Sequence, residues 1–213
     1  MKQILSFILF ILFFSCVHAQ EKDLTKLPAP RLQHESRFMA ALSSRQSMRT
    51  CAEMQLPIQD LSDVLWAANG INRLDGKRTA PSAMNRQEVD VYVFTAEGAF
   101  RYLPESHSLQ LVAKGDHRAA IASRQDFVLQ FPVSVVLVSD LEKLGRSDDE
   151  RTRLMAAVDV GCVCQNICLC CSALGLATVP RATMDEARIR EILHLSDTQL
   201  PLMNNPIGLP AQQ

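Results

Sequence analysis

The sequence predicts an α+β domain: a small, largely antiparallel sheet flanked by helices, one of them long and unusually apolar. Three observations predict it. Short runs alternate apolar and polar residues, as Val91 and Val93 do, which is the two-residue period of a strand. Other stretches space their apolar residues by three and four, and the two kinds do not alternate as parallel-sheet proteins require. The stretch 148–174 is apolar on nearly every side after Met155, so a helix there must be covered almost all round. A chain of 213 residues that is 47% hydrophobic and 21% charged supplies one cored domain and is not disordered.

From the N-terminus, Lys2 precedes an almost unbroken apolar run over 4–14, then small residues at Val17-His18-Ala19. This is the pattern of a secretory signal peptide over 1–19, cleaved after Ala19, and the run is shorter than the roughly 20 residues of a spanning helix. The expectation is an exported, periplasmic protein. Cys16 after Phe13-Phe14-Ser15 loosely fits a lipobox, so the alternative is a lipoprotein anchored through Cys16. Residues 20–34, with Pro28 and Pro30, form an extended lead-in, and 35–213 the domain.

Within the domain, 35–44 carries Phe38, Met39 and Leu42 at helical spacing. A second helix over 58–68 is ended by Asn69-Gly70, residues that tolerate a left-handed helix terminus. The polar stretch 72–85 has no hydrophobic period, and connections of that length are usually functional. Runs 90–95 and 99–103 form a hairpin across Glu97-Gly98. Residues 109–112 add a short strand, 117–126 a helix, and the β-branched run 133–139 a buried central strand. The long helix 148–174 is closed by Gly175. A strand over 176–179, an amphipathic helix over 185–193 and an extended C-terminal arm over 200–209 complete the chain. A helix so thoroughly apolar in a chain this small implies a second copy covering it, hence a homodimer.

The net charge of −1 and the lack of a basic run exclude nucleic acid as a partner. Two segments carry chemistry. Arg45-Gln46-Ser47-Met48-Arg49 sets two guanidiniums and a hydroxyl at alternate positions, suited to bidentate binding of phosphate oxygens. Arg78-Thr79-Ala80-Pro81-Ser82-Ala83-Met84-Asn85, then Gln87, is a proline-stiffened loop of small residues feeding a strand. It lets a flat ring lie close, and Asn85 and Gln87 offer donors and acceptors to its polar edge. The cysteines Cys162, Cys164, Cys168, Cys170 and Cys171 fit no zinc spacing on a helix. Cys164, Cys168 and Cys171 share one face and read as core, so no metal is expected. Trp66 reads as core or interface, and His107 and His117 as surface residues.

Together, Arg45-x-Ser47-x-Arg49 and Pro81-Ser82-Ala83-x-Asn85-x-Gln87 resemble the nitroreductase-like FMN-dependent oxidoreductases. Asp159-x-Gly161-x-x-x-Gln165-Asn166, Gly175-Leu176-x-Thr178 and Pro206-x-Gly208-x-Pro210 extend the resemblance over nearly the whole domain. The Arg78–Ala83 stretch leading into Tyr92-Val93 looks most like the branch of dehydrogenases that form thiazole and oxazole rings. The resemblance implies an α+β homodimer with FMN at the subunit interface and hydride transfer through flavin N5 to or from a small-molecule substrate. It implies that Arg45, Gln46, Ser47 and Arg49 hold the phosphate and ribityl chain. Pro81, Ser82, Ala83 and Asn85 would approach the same flavin from the other subunit. The segment 179–182, with Pro180 and Arg181, would pass the reactive edge. The basic C-terminal residue common in relatives is missing, and Arg78 or Arg181 is the expected substitute. The alternatives are a non-catalytic flavin-binding module and a thiol- or metal-binding protein built on the Cys162–Cys171 cluster.

Overall fold

The computed structural model describes residues 37–145 and 149–211. The signal peptide, Cys16 and the lead-in expected over 1–34 lie outside the described residues. The domain has three layers. Six strands, β1 (Val89–Phe94), β2 (Gly98–Leu103), β3 (Ser108–Lys114), β4 (Val133–Asp140), β5 (Ala177–Thr178) and β6 (Gln199–Gly208), form one antiparallel sheet in the order β3-β2-β1-β4-β6-β5. Helices α1 (Arg37–Ser44), α2 (Ile58–Asn69) and α5 (Glu150–Leu174) lie with one face, and α3 (Arg118–Ala122) and α6 (Glu186–Leu193) with the other. A one-turn helix, α4 (Leu141–Leu144), follows β4 directly.

The two-residue period of the central strands builds both cores. Val89, Val91 and Val93 of β1 and Val133, Val135 and Leu137 of β4 pack on α2 and α5. Tyr92, Phe94, Val136 and Val138 point the other way, onto α3 and α6. A strand apolar on both faces is what a sheet covered twice demands. The long helix starts on Asp149, whose side chain accepts the Thr152 amide, and ends at Gly175 with φ +70 in the left-handed cap that glycine adopts without penalty.

Three local expectations are corrected. Gly70 is extended, not left-handed; it is glycine because a Cβ would sit 2.5 Å from Trp66 Cδ1 and 2.7 Å from the Trp66 carbonyl. Asn69 is buried, its amide donating to the Val89 carbonyl at 2.7 Å. The helix expected over 117–126 stops at Ala122, because Ser123 turns to φ +53 and a 3₁₀ turn, Asp126–Gln130, follows. The C-terminal arm is a full strand lying between β4 and β5.

Within one chain α5 is not covered on every side; its open face is the one expected to lie against a second copy. Ala156, Asp159, Val160, Val163, Cys164, Ile167, Cys168 and Cys171 are buried, whereas Leu154 and Val158 are 58% and 50% exposed. With Ala157 and Gln165 they form one open stripe at helical spacing. A Cβ added to Gly161 on that stripe would meet nothing within 4 Å. By length and composition α5 could cross a membrane, but its inner face is built into the sheet's core.

Candidate functional site

The Arg45–Arg49 segment is an extended stretch tied down at both ends. The Arg45 amide closes α1 on the Ala41 carbonyl, and the Met48 amide donates to the Thr178 carbonyl of β5, each at 2.9 Å. Ser44 and Ser172 hydroxyls meet at 2.9 Å, so the segment starts at the C-terminal end of α5. Between segment and helix lies a cavity of about 160 Å³ lined by Ser44, Gln46, Met48, Cys168, Ser172 and Thr178, among others. Arg45, Gln46, Ser47 and Arg49 are exposed. Neither the Arg45 nor the Arg49 guanidinium makes an ion pair or hydrogen bond with the described residues, so both are available to an anion.

The second segment is held at the other half of α5. The Ala83 amide donates to Asp159 Oδ2 at 2.7 Å. The Ser82 hydroxyl accepts the Gln87 amide at 2.9 Å, and the Gln87 side chain donates to the carbonyls of Gly76 and Asn85. Met84, Asn85 and Gln87 all have left-handed φ values of 50, 55 and 49. Three non-glycine residues in that region mark a loop whose shape the surroundings impose. Pro81 and Asn85 are exposed; Ser82 and Ala83 are partly covered.

Asp159 and Ser172 are thirteen residues apart on one helix, about 20 Å at 1.5 Å per residue. One chain therefore does not bring the two segments together.

Neither Arg78 nor Arg181, the residues expected to serve the phosphate, is free. Arg78 is 11% exposed, pairs with Glu105 at 2.8 Å and donates to Gln87. Arg181 points into the interior beneath α3. Its guanidinium donates to Gln125 Oε1 at 2.8 Å, Asn204 Oδ1 at 2.6 Å and the carbonyls of Ile121 and Ala122, and lies over the Phe127 ring. Its backbone amide is bonded to the Asn204 carbonyl. The expectation that the Arg181 side chain reaches a cofactor is corrected. Pro180 carries no N–H, which leaves the exposed Ala182 as the next backbone donor along the 179–182 edge.

The cysteines behave as core. Cys164 donates to Asn205 Oδ1 at 3.2 Å, and Asn205, fully buried, donates on to Cys168 and Thr178. Hydrogen bonding between the two thiols raises Cys164 and lowers Cys168, while burial raises Cys171 and pushes Cys170 up to about 11.

Two features escaped the sequence reading. Ser62, His107 and Tyr102 form a hydrogen-bonded chain, at 2.7 and 2.8 Å, beside an apolar crevice between α2 and the β2–β3 turn. Glu88, immediately before β1, is completely buried with neither carboxylate oxygen hydrogen-bonded. Its one sequence signal is an acid abutting a strand that is apolar on both faces.

The family model described as the nitroreductase family matches residues 42–209. A protein of Methanocaldococcus jannaschii assigned as a nitroreductase is 30% identical over 195 residues, 87% of this chain and 97% of that protein. The crystal structure of a protein from Ralstonia eutropha JMP134, also assigned as a nitroreductase, superposes with a TM-score of 0.78 at 32% identity. It covers 88% of this chain and 89% of that one. A chain of the Escherichia coli microcin synthetase McbBCD complex shares the fold, with a TM-score of 0.71 at 18% identity over 90% of this chain and 77% of its own. The matched span takes in the 45–49 and 81–87 segments, the long helix and the interior strand β6. The chain therefore belongs to the nitroreductase family and is an oxidoreductase.

Proposed function

We propose that this oxidoreductase depends on FMN, works as a homodimer and passes hydride to or from a small organic substrate. The observation that carries the reading is the pair of exposed, unpaired guanidiniums, Arg45 and Arg49, flanking Ser47 on the segment whose Ser44, Gln46 and Met48 line the cavity against α5. That set suits a terminal phosphate, and no dinucleotide-binding glycine motif is present, which favours FMN over FAD. FMN bound there would supply the hydride-transferring centre at N5. Arg45, Gln46, Ser47 and Arg49 would hold phosphate and ribityl chain. Pro81, Ser82, Ala83 and Asn85 would meet the ring's polar edge, and the Ala182 amide would serve the edge beside Pro180.

The dimer follows from the 20 Å separation and the open stripe on α5. If two copies pack antiparallel along the open stripe with the crossing centred near Gln165, the Asp159 end of one helix meets the Ser172 end of the other. The two halves of the site are then reunited, and the apolar stripe leaves water. Gly161 gives the crossing helices room for close approach.

For location we propose export to the periplasm by the signal over 1–19, with Cys16 lipidation the alternative. With Lys2 alone and no twin arginine, the chain would cross unfolded and acquire flavin afterwards. A compartment poor in nicotinamide nucleotides favours a quinol or a redox protein as reductant.

Mass spectrometry of the ligand released from native, exported protein tests the cofactor, with FMN expected. Arg45→Ala should weaken FMN by about 1.5–3 kcal/mol, the scale of a hydrogen bond to a charged group. Unchanged occupancy in a doubly substituted Arg45/Arg49 protein would remove those residues from the site. A stable monomer with bound flavin in sedimentation would contradict the shared site.

A further inference from the structure

We propose that Glu88 and Asp159 act as one carboxyl pair sharing a single proton, and that this pair positions the loop Pro81–Gln87 for the cofactor's ring. The inference rests on the flavin reading for what the loop serves, but the pair itself is a property of the bare chain.

Glu88 is 0% exposed and makes no side-chain hydrogen bond, an arrangement too unfavourable for an ionised carboxylate to be tolerated. Facing it from α5 is Asp159, itself 6% exposed. Facing it from α4 is Lys143, whose ammonium also lies 3.6 Å from Asp90. Among the described residues, these are the titratable side chains that bear on it. Burial first, then the neighbouring Asp159, push the Glu88 carboxyl up to about 7, against the pull of its own backbone amide and the weaker one of Lys143. A second charge beside the Asp159 carboxylate in one dry site is costly, so Glu88 keeps its proton.

The consequence runs into the loop from both ends. Asp159 Oδ2 accepts the Ala83 amide at 2.7 Å, at the head of the turn that carries Met84 and Asn85 in left-handed conformations. Glu88 follows Gln87, the third left-handed residue, and its own carbonyl accepts the Asp140 amide at 3.0 Å. With the shared proton in place, Asp159 is held between the Glu88 O–H and the Ala83 N–H. When the proton leaves, two adjacent buried carboxylates repel, Asp159 withdraws, and Ala83 loses its acceptor. Glu88 and Asp159 are thus positioning residues: they touch neither substrate nor flavin.

The test uses the full-length mature protein, flavin-free and FMN-loaded, as wild type and as Glu88→Gln. Infrared spectroscopy of the flavin-free wild type should show a protonated carboxyl band that titrates near pH 7 and is missing from Glu88→Gln. Exchange of the Ala83 amide, corrected for its intrinsic pH dependence, should lose protection above pH 7 in wild type and not in Glu88→Gln, whose amide is a permanent donor to Asp159. FMN affinity should fall by up to about tenfold per pH unit above 7 in wild type, the limit for one linked proton, and stay flat in the variant. A wild type without the titrating band, or with Ala83 protection independent of pH, overturns the pair. If Glu88→Gln does not fold, Asp159→Asn, which can still accept from Ala83, replaces it, and the wild-type band still decides. If band and protection titrate together but FMN binds at no pH, the pair stands and the flavin reading falls.

Discussion

Replacing Arg181 with alanine should cost this protein stability, not cofactor. Arg181 is 7% exposed and its guanidinium makes four hydrogen bonds, two of them short, yet among the described residues no carboxylate pairs with it. At about 1.5–3 kcal/mol per bond involving a charge, a simple sum would exceed 6 kcal/mol. That sum overshoots, because burying the cation is itself unfavourable, and burial accordingly pulls Arg181 below its ordinary pKa. What alanine leaves behind decides the outcome. Asn204 Oδ1 and the Ile121 carbonyl lose the Arg181 donor in a dry site, the Ala122 carbonyl keeps only the Gln125 amide, and the face of Phe127 loses its cation. We expect a net loss of about 3 kcal/mol, the scale of breaking a buried charged network. For a chain of this length that is about 6–12 °C in Tm. Thermal denaturation of flavin-free protein followed by circular dichroism measures it, with Arg45→Ala as the control. Arg45 is exposed and unpaired, so its removal should stay within about 0.5 kcal/mol. If Arg181→Ala melts with the parent while flavin binding is lost, Arg181 belongs to the site and the reading of its side chain as interior scaffolding is wrong.

Glu88 makes stability depend on pH with a definite sign. Its folded pKa near 7 stands above an unfolded value near 4.3, so the folded state binds the proton more tightly. Stability should fall as pH rises through that window and level off above 7, by at most about 4 kcal/mol, and Glu88→Gln should flatten the curve of urea midpoints. Val158→Glu on the open stripe of α5 should leave the fold intact and shift the protein to monomer in sedimentation. Unaltered association would move the interface elsewhere. Asp149→Ala removes the side chain that accepts the Thr152 amide at the start of α5, and should lower stability by about 1 kcal/mol in the same urea assay.

What the sequence determined by itself is whatever depends on neighbours in the chain. Alternation placed β1, β2 and β4, the apolar run and Gly175 bounded α5, and Asp185 ahead of an amphipathic stretch marked α6, where it does cap the helix. The order of short motifs was enough for the family, because each lies on an element the local pattern already defined. Only the tertiary structure decided which way polar groups point and what they meet. Arg181 lies next to a proline in a segment expected at the flavin's edge, but Gln125, from 56 positions away, and Asn204, on a strand that looked like a loose arm, draw it inward. The apolar run of α5 implied cover on all sides; the fold supplies one face and leaves Leu154 and Val158 open. Glu88 carries no chemical signal in the sequence beyond its place before β1, and it lies buried beside Asp159, 71 residues later. Periodicity reports the face on which a side chain sits, since backbone geometry repeats locally. A buried charge or an unpartnered acid is defined by atoms from distant elements, and no local pattern carries that information.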